Sequence, residues 1–434
     1  MIWERVFHLR EKGTTPRREC VAGLTTFMTM AYVLVIIPQL LATTGMDQGA
    51  LFSATALASI VATLVMAFYA NMPYALAPGL GLTAFFAYTV VGEMGYSWQT
   101  ALTAVFLEGL LFILLTVTNA REAIVKAIPS NLKHAISVGI GLFITLIALN
   151  NAGIVQRSPG TLLTMGDLLT PSCLVCLIGL FAIALLLYFK VRGALLLGIV
   201  FATLVGIPLG VTRLPEHFTL FSAPPSIQPI FAKVHFDFKV LFSAEMALVV
   251  LTMVFVDLFD TLGSLIGVTN RAGLADRNGD VPGLKKALLS DAVGTTVGSL
   301  LGVSTVTTYL ESAAGVAAGG RSGMTAFVVA LLFGLALFFS PIFLSVPPAA
   351  LSAGMLMVGL FMISSVREID FQSMGQGLPA FLTVVMMPFT YSIANGILFG
   401  MLSFVILQVL TGKAKEVTIS MYIVALFLLL KLFL

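Results

Sequence analysis

The chain has 434 residues, 59% of them hydrophobic and 10% charged, with a formal net charge of +3 and a mean hydropathy of +1.04. A soluble domain is about half apolar and about a quarter charged, so this composition excludes one and specifies a polytopic membrane protein. The small net charge offers little to nucleic acid. Cys173 and Cys176 form a CxxC inside an apolar run, without the further ligands of a zinc or redox site; with Cys20 they read as packing residues.

In chain order, residues 1–19 form a basic segment expected on the cytoplasmic side. The apolar run at 20–41 is too long for a signal-peptide core and reads as the first span. Fourteen spans are predicted, starting near Cys20, Ala50, Pro78, Trp98, Leu132, Ser172, Gly193, Phe242, Lys286, Ser304, Ser322, Val346, Gly377 and Asn395. The third and tenth are short half-helices, and residues 417–433 read as an interfacial or partly embedded tail. With the N-terminus inside, cytoplasmic segments hold 18 Lys and Arg, among them Arg121, Lys126, Arg271 and Arg277, against four outside. That bias is what the positive-inside rule predicts. The proline-rich connection at 212–240 divides the chain into halves of seven spans. Seven is odd, so the halves enter from opposite sides and form an inverted repeat.

Two stretches break the apolar pattern. Residues 71–81 read NMPYALAPGLG ahead of an apolar helix, and residues 304–323 read STVTTYLESAAGVAAGGRSG. Interrupted segments in corresponding places of two halves point to the binding site of a secondary transporter. Between them, residues 254–263 read VFVDLFDTLG within a long apolar helix, placing Asp257 and Asp260 three residues apart on one face. Each carboxylate at mid-bilayer costs roughly 2.5–3.5 kcal/mol on insertion scales. Asp257, Asp260 and Glu311 are therefore expected to share a polar, partly wet centre suited to binding a substrate and carrying a proton. Gly79 and Gly81 permit close backbone approach, and Thr83, Phe85 and Phe86 follow at the helix start, where an aromatic face suits a flat ring. Glu108 and Asp291 read as isolated helix-to-helix hydrogen-bond partners, and Asp276 and Asp280 as part of a solvated cytoplasmic turn.

Three of these stretches, NMPYALAPGLGLTAFFAYTVVG, FVDLFDTLGSLIGV and STVTTYLESAAGVAAGGRSG, resemble the hallmarks of the AzgA-like purine permeases, the hypoxanthine–adenine–guanine branch of the nucleobase–cation symporters. The resemblance runs in order along nearly the whole chain. It implies the uracil-permease fold, an all-α polytopic protein of fourteen segments in two inverted repeats of seven, with short strands at the broken third and tenth. It also implies a core domain (20–120 and 242–340) and a gate domain (121–211 and 341–412). An external loop at 212–241 and a tail at 413–434 complete the division. Substrate would meet Glu311, Asp257, Thr83, Phe85 and Phe86, with Asp257 and Asp260 coupling a proton, or alternatively sodium; no other cofactor is implied. The chain departs from the family at Thr83, usually Asn, and Ala318, usually Glu. The expected protein is a purine nucleobase:proton symporter of the inner membrane, a homodimer through gate helices. The rivals are an anion transporter of the same fold, against which three central acids argue, and an intramembrane enzyme using Asp257 and Asp260 as a DxxD motif. The enzyme lacks a second facing aspartate-rich motif.

Overall fold

The computed structural model describes residues 2–118, 129–158, 160–214, 219–241, 243–272, 283–418, 421–422, 425–426 and 429. The loop with Arg121 and Lys126, the turn with Asp276 and Asp280, and most of the tail lie outside them. Among the described residues, nine helices are long and apolar enough to cross a membrane, at Pro16–Ala42, Gln48–Ala70, Trp98–Val117, Ser130–Asn151, Pro171–Tyr188, Glu245–Thr269, Gly323–Leu344, Pro348–Glu368 and Ile393–Leu410. Three shorter apolar helices, Leu80–Glu93, Ala194–Gly206 and Met374–Phe389, accompany them. The Leu284–Leu301 helix is less apolar and packs between Trp98–Val117 and Gln48–Val65.

The two broken stretches become strand-then-helix. Strand β1 (Leu76–Pro78) precedes the Leu80–Ala84 helix, whose continuation to Glu93 has wider π-type turns. Between Ser130–Asn151 and Pro171–Tyr188, Val155–Ser158 (β2) and Leu162–Met165 (β3) pair antiparallel as a small exposed hairpin. Strand β4 (Val306–Thr308) precedes the six-residue helix Ser312–Ala317. β1 and β4 pair antiparallel, Leu76 opposite Thr308, Ala77 opposite Thr307 and Pro78 opposite Val306. The ladder extends at both ends, Gly79 N–H donating to Thr305 C=O at 2.9 Å and Tyr309 N–H to Ala75 C=O at 3.0 Å. This pairing is what makes non-helical backbone tolerable there, since an unpaired peptide group in hydrocarbon costs several kcal/mol. Pro78 has no N–H to offer, and it sits at the strand's last position, where the chain turns into its helix.

Helices meet closely where side chains are small, the usual basis of packing in a bilayer. Ser130–Asn151 packs on Pro348–Ile363 and Met374–Phe389, and Met374–Phe389 on Ile393–Leu410. A second group joins Pro16–Met30 and Gln48–Val65 to Gly323–Ala336. That group is tied by Glu19, a fully buried carboxylate near the start of the first span. It accepts from the N–H groups of Arg321 (2.9 Å), Ser322 (3.3 Å) and Thr325 (3.1 Å) and from the Thr325 hydroxyl (2.6 Å). Asn71, in the left-handed region at φ 52°, adds a second tie, accepting from Gly323 N–H and donating to Phe7 C=O.

The Ser312–Ala317 helix lies against Pro16–Met30 with no room to spare. A Cβ on Gly315 would stand 2.0 Å from Thr26 Oγ1 and 2.6 Å from Ala22 C=O. Gly315→Ala is therefore expected to lower stability by at least the ~1–3 kcal/mol typical of overpacking. A lower melting midpoint of the purified protein would show it. Gly160→Ala, where a Cβ meets nothing within 4 Å, is the control expected to leave the midpoint unchanged.

Candidate functional site

Asp257 lies at the middle of the Glu245–Thr269 span and is fully buried. Thr261, one helical turn on, places its hydroxyl 3.0 Å from Asp257 Oδ1 and 3.0 Å from Asp291 Oδ1. Asp291 is itself buried on the Leu284–Leu301 helix. Asp291 is thus a buried helix-to-helix hydrogen-bond partner as expected, but not an isolated one: Thr261, 30 residues before it in sequence, joins it to Asp257. A hydroxyl carries a single hydrogen, so this one serves two carboxyl oxygens.

Asp260, half-buried on the same helix, lies beside Thr307 of β4 and in electrostatic reach of Asp291 and Glu311. Its Oδ2 would stand 3.6 Å from a Cβ on Gly79, and that same Cβ would meet Thr307 Cγ2 at 2.9 Å. Glycine at 79 therefore lets the strand crossing close against the aspartate. Glu311 stands at the start of the Ser312–Ala317 helix, where its Oε1 accepts from Tyr32 Oη at 2.5 Å. Tyr309 is tied to the crossing, its hydroxyl donating to Pro78 C=O at 2.6 Å. Asp260 and Glu311 thus stand beside the β1–β4 crossing, with Asp257 about one helical turn before Asp260 on the same helix.

The residues of the third segment are placed less openly. Thr83 is fully buried, its hydroxyl 2.7 Å from Gly79 C=O and 2.6 Å from Ser304 Oγ, so it links the two broken segments. Phe85 and Phe86 are both fully buried. Glu108 is a helix-to-segment partner as expected, Thr305 donating to its Oε2 at 2.5 Å. Cys173 and Cys176 are buried free thiols, and no group of three metal-ligating side chains occurs among the described residues. Sequence reasoning missed Thr261 and Tyr32. Thr261 had a signal, since a residue four beyond Asp257 shares its face; Tyr32 had none within its apolar span.

The model of the Permease family matches residues 17–399. The chain belongs to this family. A putative permease of Methanocaldococcus jannaschii is 47% identical over 97% of this chain and 96% of its own length. The Escherichia coli adenine permease AdeP is 42% identical over 99% and 95%. The Bacillus subtilis guanine/hypoxanthine permease PbuG is 41% identical over 96% of each chain. The resemblance read from the three motifs is borne out, and with relatives named as permeases the protein is a multi-pass transporter and not an enzyme. Among solved structures, the transmembrane domain of the cyanobacterial bicarbonate transporter BicA matches with a TM-score of 0.62 at 16% identity, covering 90% of this chain and 97% of that one. The murine anion transporter Slc26a9 in its inward-facing state gives 0.62 at 13% identity, covering 91% and 68%. At such identities the permease shares with them the fold alone.

The Thr83 link yields a stability test. Thr83→Val keeps the side chain's shape and removes its hydroxyl, leaving Ser304 without that partner. The expected cost is about 1–3 kcal/mol, seen as a lower melting midpoint, with Thr83→Ser restoring it. An unchanged midpoint in Thr83→Val would mean that the link contributes nothing to holding the segments together.

Proposed function

We propose that this permease imports purine nucleobases (adenine, guanine, hypoxanthine or a subset) across the cell (inner) membrane by proton symport. The observation that carries this reading is the meeting of Glu311, Asp260 and the Asp257–Thr261–Asp291 bridge beside the β1–β4 crossing. The names of its relatives at about 40% identity, adenine and guanine/hypoxanthine permeases, support the substrate class.

A purine presents ring N–H donors at its edge, and Glu311 is the acceptor suited to them because a carboxylate takes two such bonds side by side. The proton belongs with the aspartates. One hydroxyl hydrogen between two carboxyl oxygens leaves two acceptors facing each other unless one acid carries a proton and donates to the hydroxyl. Losing that proton would set two buried negative charges against each other, so proton and conformation are linked. Asp260 stands between the two groups, placed to relay between them. In this reading the protein has fourteen segments in two inverted repeats, with its N-terminus cytoplasmic. A core of spans one to four and eight to eleven moves against a gate of the remaining six. A homodimer would form through gate helices.

The anion-transporter reading draws on the structural neighbours, a bicarbonate transporter and an anion transporter. The central acids disfavour it, since like charge at a site repels its ligand.

Two experiments test the proposal. Uptake of labelled hypoxanthine is expected to be competed by unlabelled adenine or guanine but not by uracil, and to collapse with a protonophore. Glu311→Gln replaces one acceptor by a misplaced donor. It is expected to reach the membrane and bind purine roughly 5- to 150-fold more weakly, the worth of about 1–3 kcal/mol. Glu311→Asp, which keeps the charge, should lose less. Parent-like purine affinity in Glu311→Gln would remove Glu311 as the anchor.

A further inference from the structure

The first span is interrupted near its middle. Pro16–Met30 ends, Val33–Ala42 begins, and Ala31 and Tyr32 lie between. Through this turn Leu34 N–H donates to Ala31 C=O at 3.1 Å and Val35 N–H to Tyr32 C=O at 3.0 Å, three-residue closures of which the second shares Tyr32 C=O with the regular bond from Ile36 N–H at 3.0 Å. Pro38, inside the second piece, has no N–H for the carbonyl of Leu34, which loosens the helix at the same place. Tyr32 is 1% exposed, and its hydroxyl meets Glu311 Oε1 at 2.5 Å across 279 residues of sequence. The other ionisable groups that act on this tyrosine are Tyr309 and Asp260. Tyr309 already donates to Pro78 C=O, so the first span supplies the donor.

We infer that Tyr32 is a positioning residue for the substrate anchor, making the interruption of the first span at Ala31 and Tyr32 a third discontinuity of the binding site. This rests on the reading of Glu311 given above. A glutamate at the start of a six-residue helix turns about three side-chain bonds before its carboxylate is placed. A buried tyrosine has two, and its ring is held by packing, so its hydroxyl is a fixed point. Donation to Oε1 is charge-assisted, the stronger kind of hydrogen bond. It sets the plane of the carboxylate and leaves Oε2, with the remaining lone pair of Oε1, as acceptors for a ligand. Fixing the acceptors beforehand spares the ligand the cost of ordering them.

The test is a double-mutant cycle on the full-length purified permease, with adenine and hypoxanthine binding measured calorimetrically and uptake kinetics measured in proteoliposomes. Tyr32→Phe keeps the ring and removes only the donor. It is expected to weaken binding by about ten-fold, the lower end of what a hydrogen bond to a charged group is worth. The loss should appear in KM more than in the maximal rate. In the Glu311→Gln background the same change should cost little, because a residue acting through Glu311 is not additive with its removal. Tyr32→His, which retains a ring N–H donor, should recover part of the loss and serves in its place should Tyr32→Phe not reach the membrane. Parent-like affinity in Tyr32→Phe, or the same ten-fold loss in both backgrounds, would overturn the inference. Parent-like affinity in Glu311→Gln would instead bring down the anchor reading itself, whatever Tyr32 does.

Discussion

A carboxyl group inside a membrane must be answered by the protein, because the surrounding hydrocarbon cannot answer it. Around the centre of this permease the buried acids meet hydroxyl groups of the protein. Asp257 and Asp291 meet at Thr261, Asp260 lies beside Thr307 on β4, Glu311 meets Tyr32 of the first span, and Glu108 meets Thr305. The backbone obeys the same constraint. Leaving helical geometry at Leu76–Pro78 and Val306–Thr308 exposes peptide groups, and these are satisfied by the pairing of the two strands and by the hydroxyls of Thr63 at Leu76 and Thr295 at Val306. The acids, the hydroxyls and the paired strands form one polar unit enclosed by apolar helices.

That unit has a mechanical consequence. Its links join the helices Pro16–Ala42, Leu80–Glu93, Trp98–Val117, Glu245–Thr269 and Leu284–Leu301 to one another and to residues 304–317, so a displacement of any one strains the others. Glu19 and Asn71 add ties between the first two spans and the residues that open the Gly323–Ala336 helix. The helices from Ser130–Asn151 to Ala194–Gly206 and from Pro348–Ile363 onward contribute none of these links and pack instead through small residues. Gly359, where a Cβ would lie 2.1 Å from Thr145 Oγ1, is one such contact. Polar ties from the first span to this part of the chain include Gln39 donating to Val346 C=O and Arg192 donating to Thr25, and the proposed movement of core against gate would have to break or carry them.

Much of this was legible in the sequence, for reasons of cost. Asp257, Asp260 and Glu311 stand out because nothing but function or partners retains acids in such apolar company, and Pro78 with Gly79 and Gly81 marks a helix that has to start anew. What the sequence hides is distance. Asp291 looks isolated along the chain, and only folding sets it beside Thr261. Tyr32 is one aromatic among apolar neighbours, and a buried tyrosine packing against a helix leaves the same trace as one holding a carboxylate. Glu19 sits at the edge of a basic segment and reads as surface, yet it caps another helix from within. Thr83 falls at the expected position, but its hydroxyl is engaged by Ser304, which a motif cannot show.

The central claim is that a purine and a proton cross together. Proteoliposomes holding the purified permease and an internal pH indicator, with no ion gradient imposed, test it directly. Adding adenine or hypoxanthine outside should acidify the interior in step with uptake of the labelled base, and uracil should do neither. Purine entry without any accompanying acidification would contradict the account.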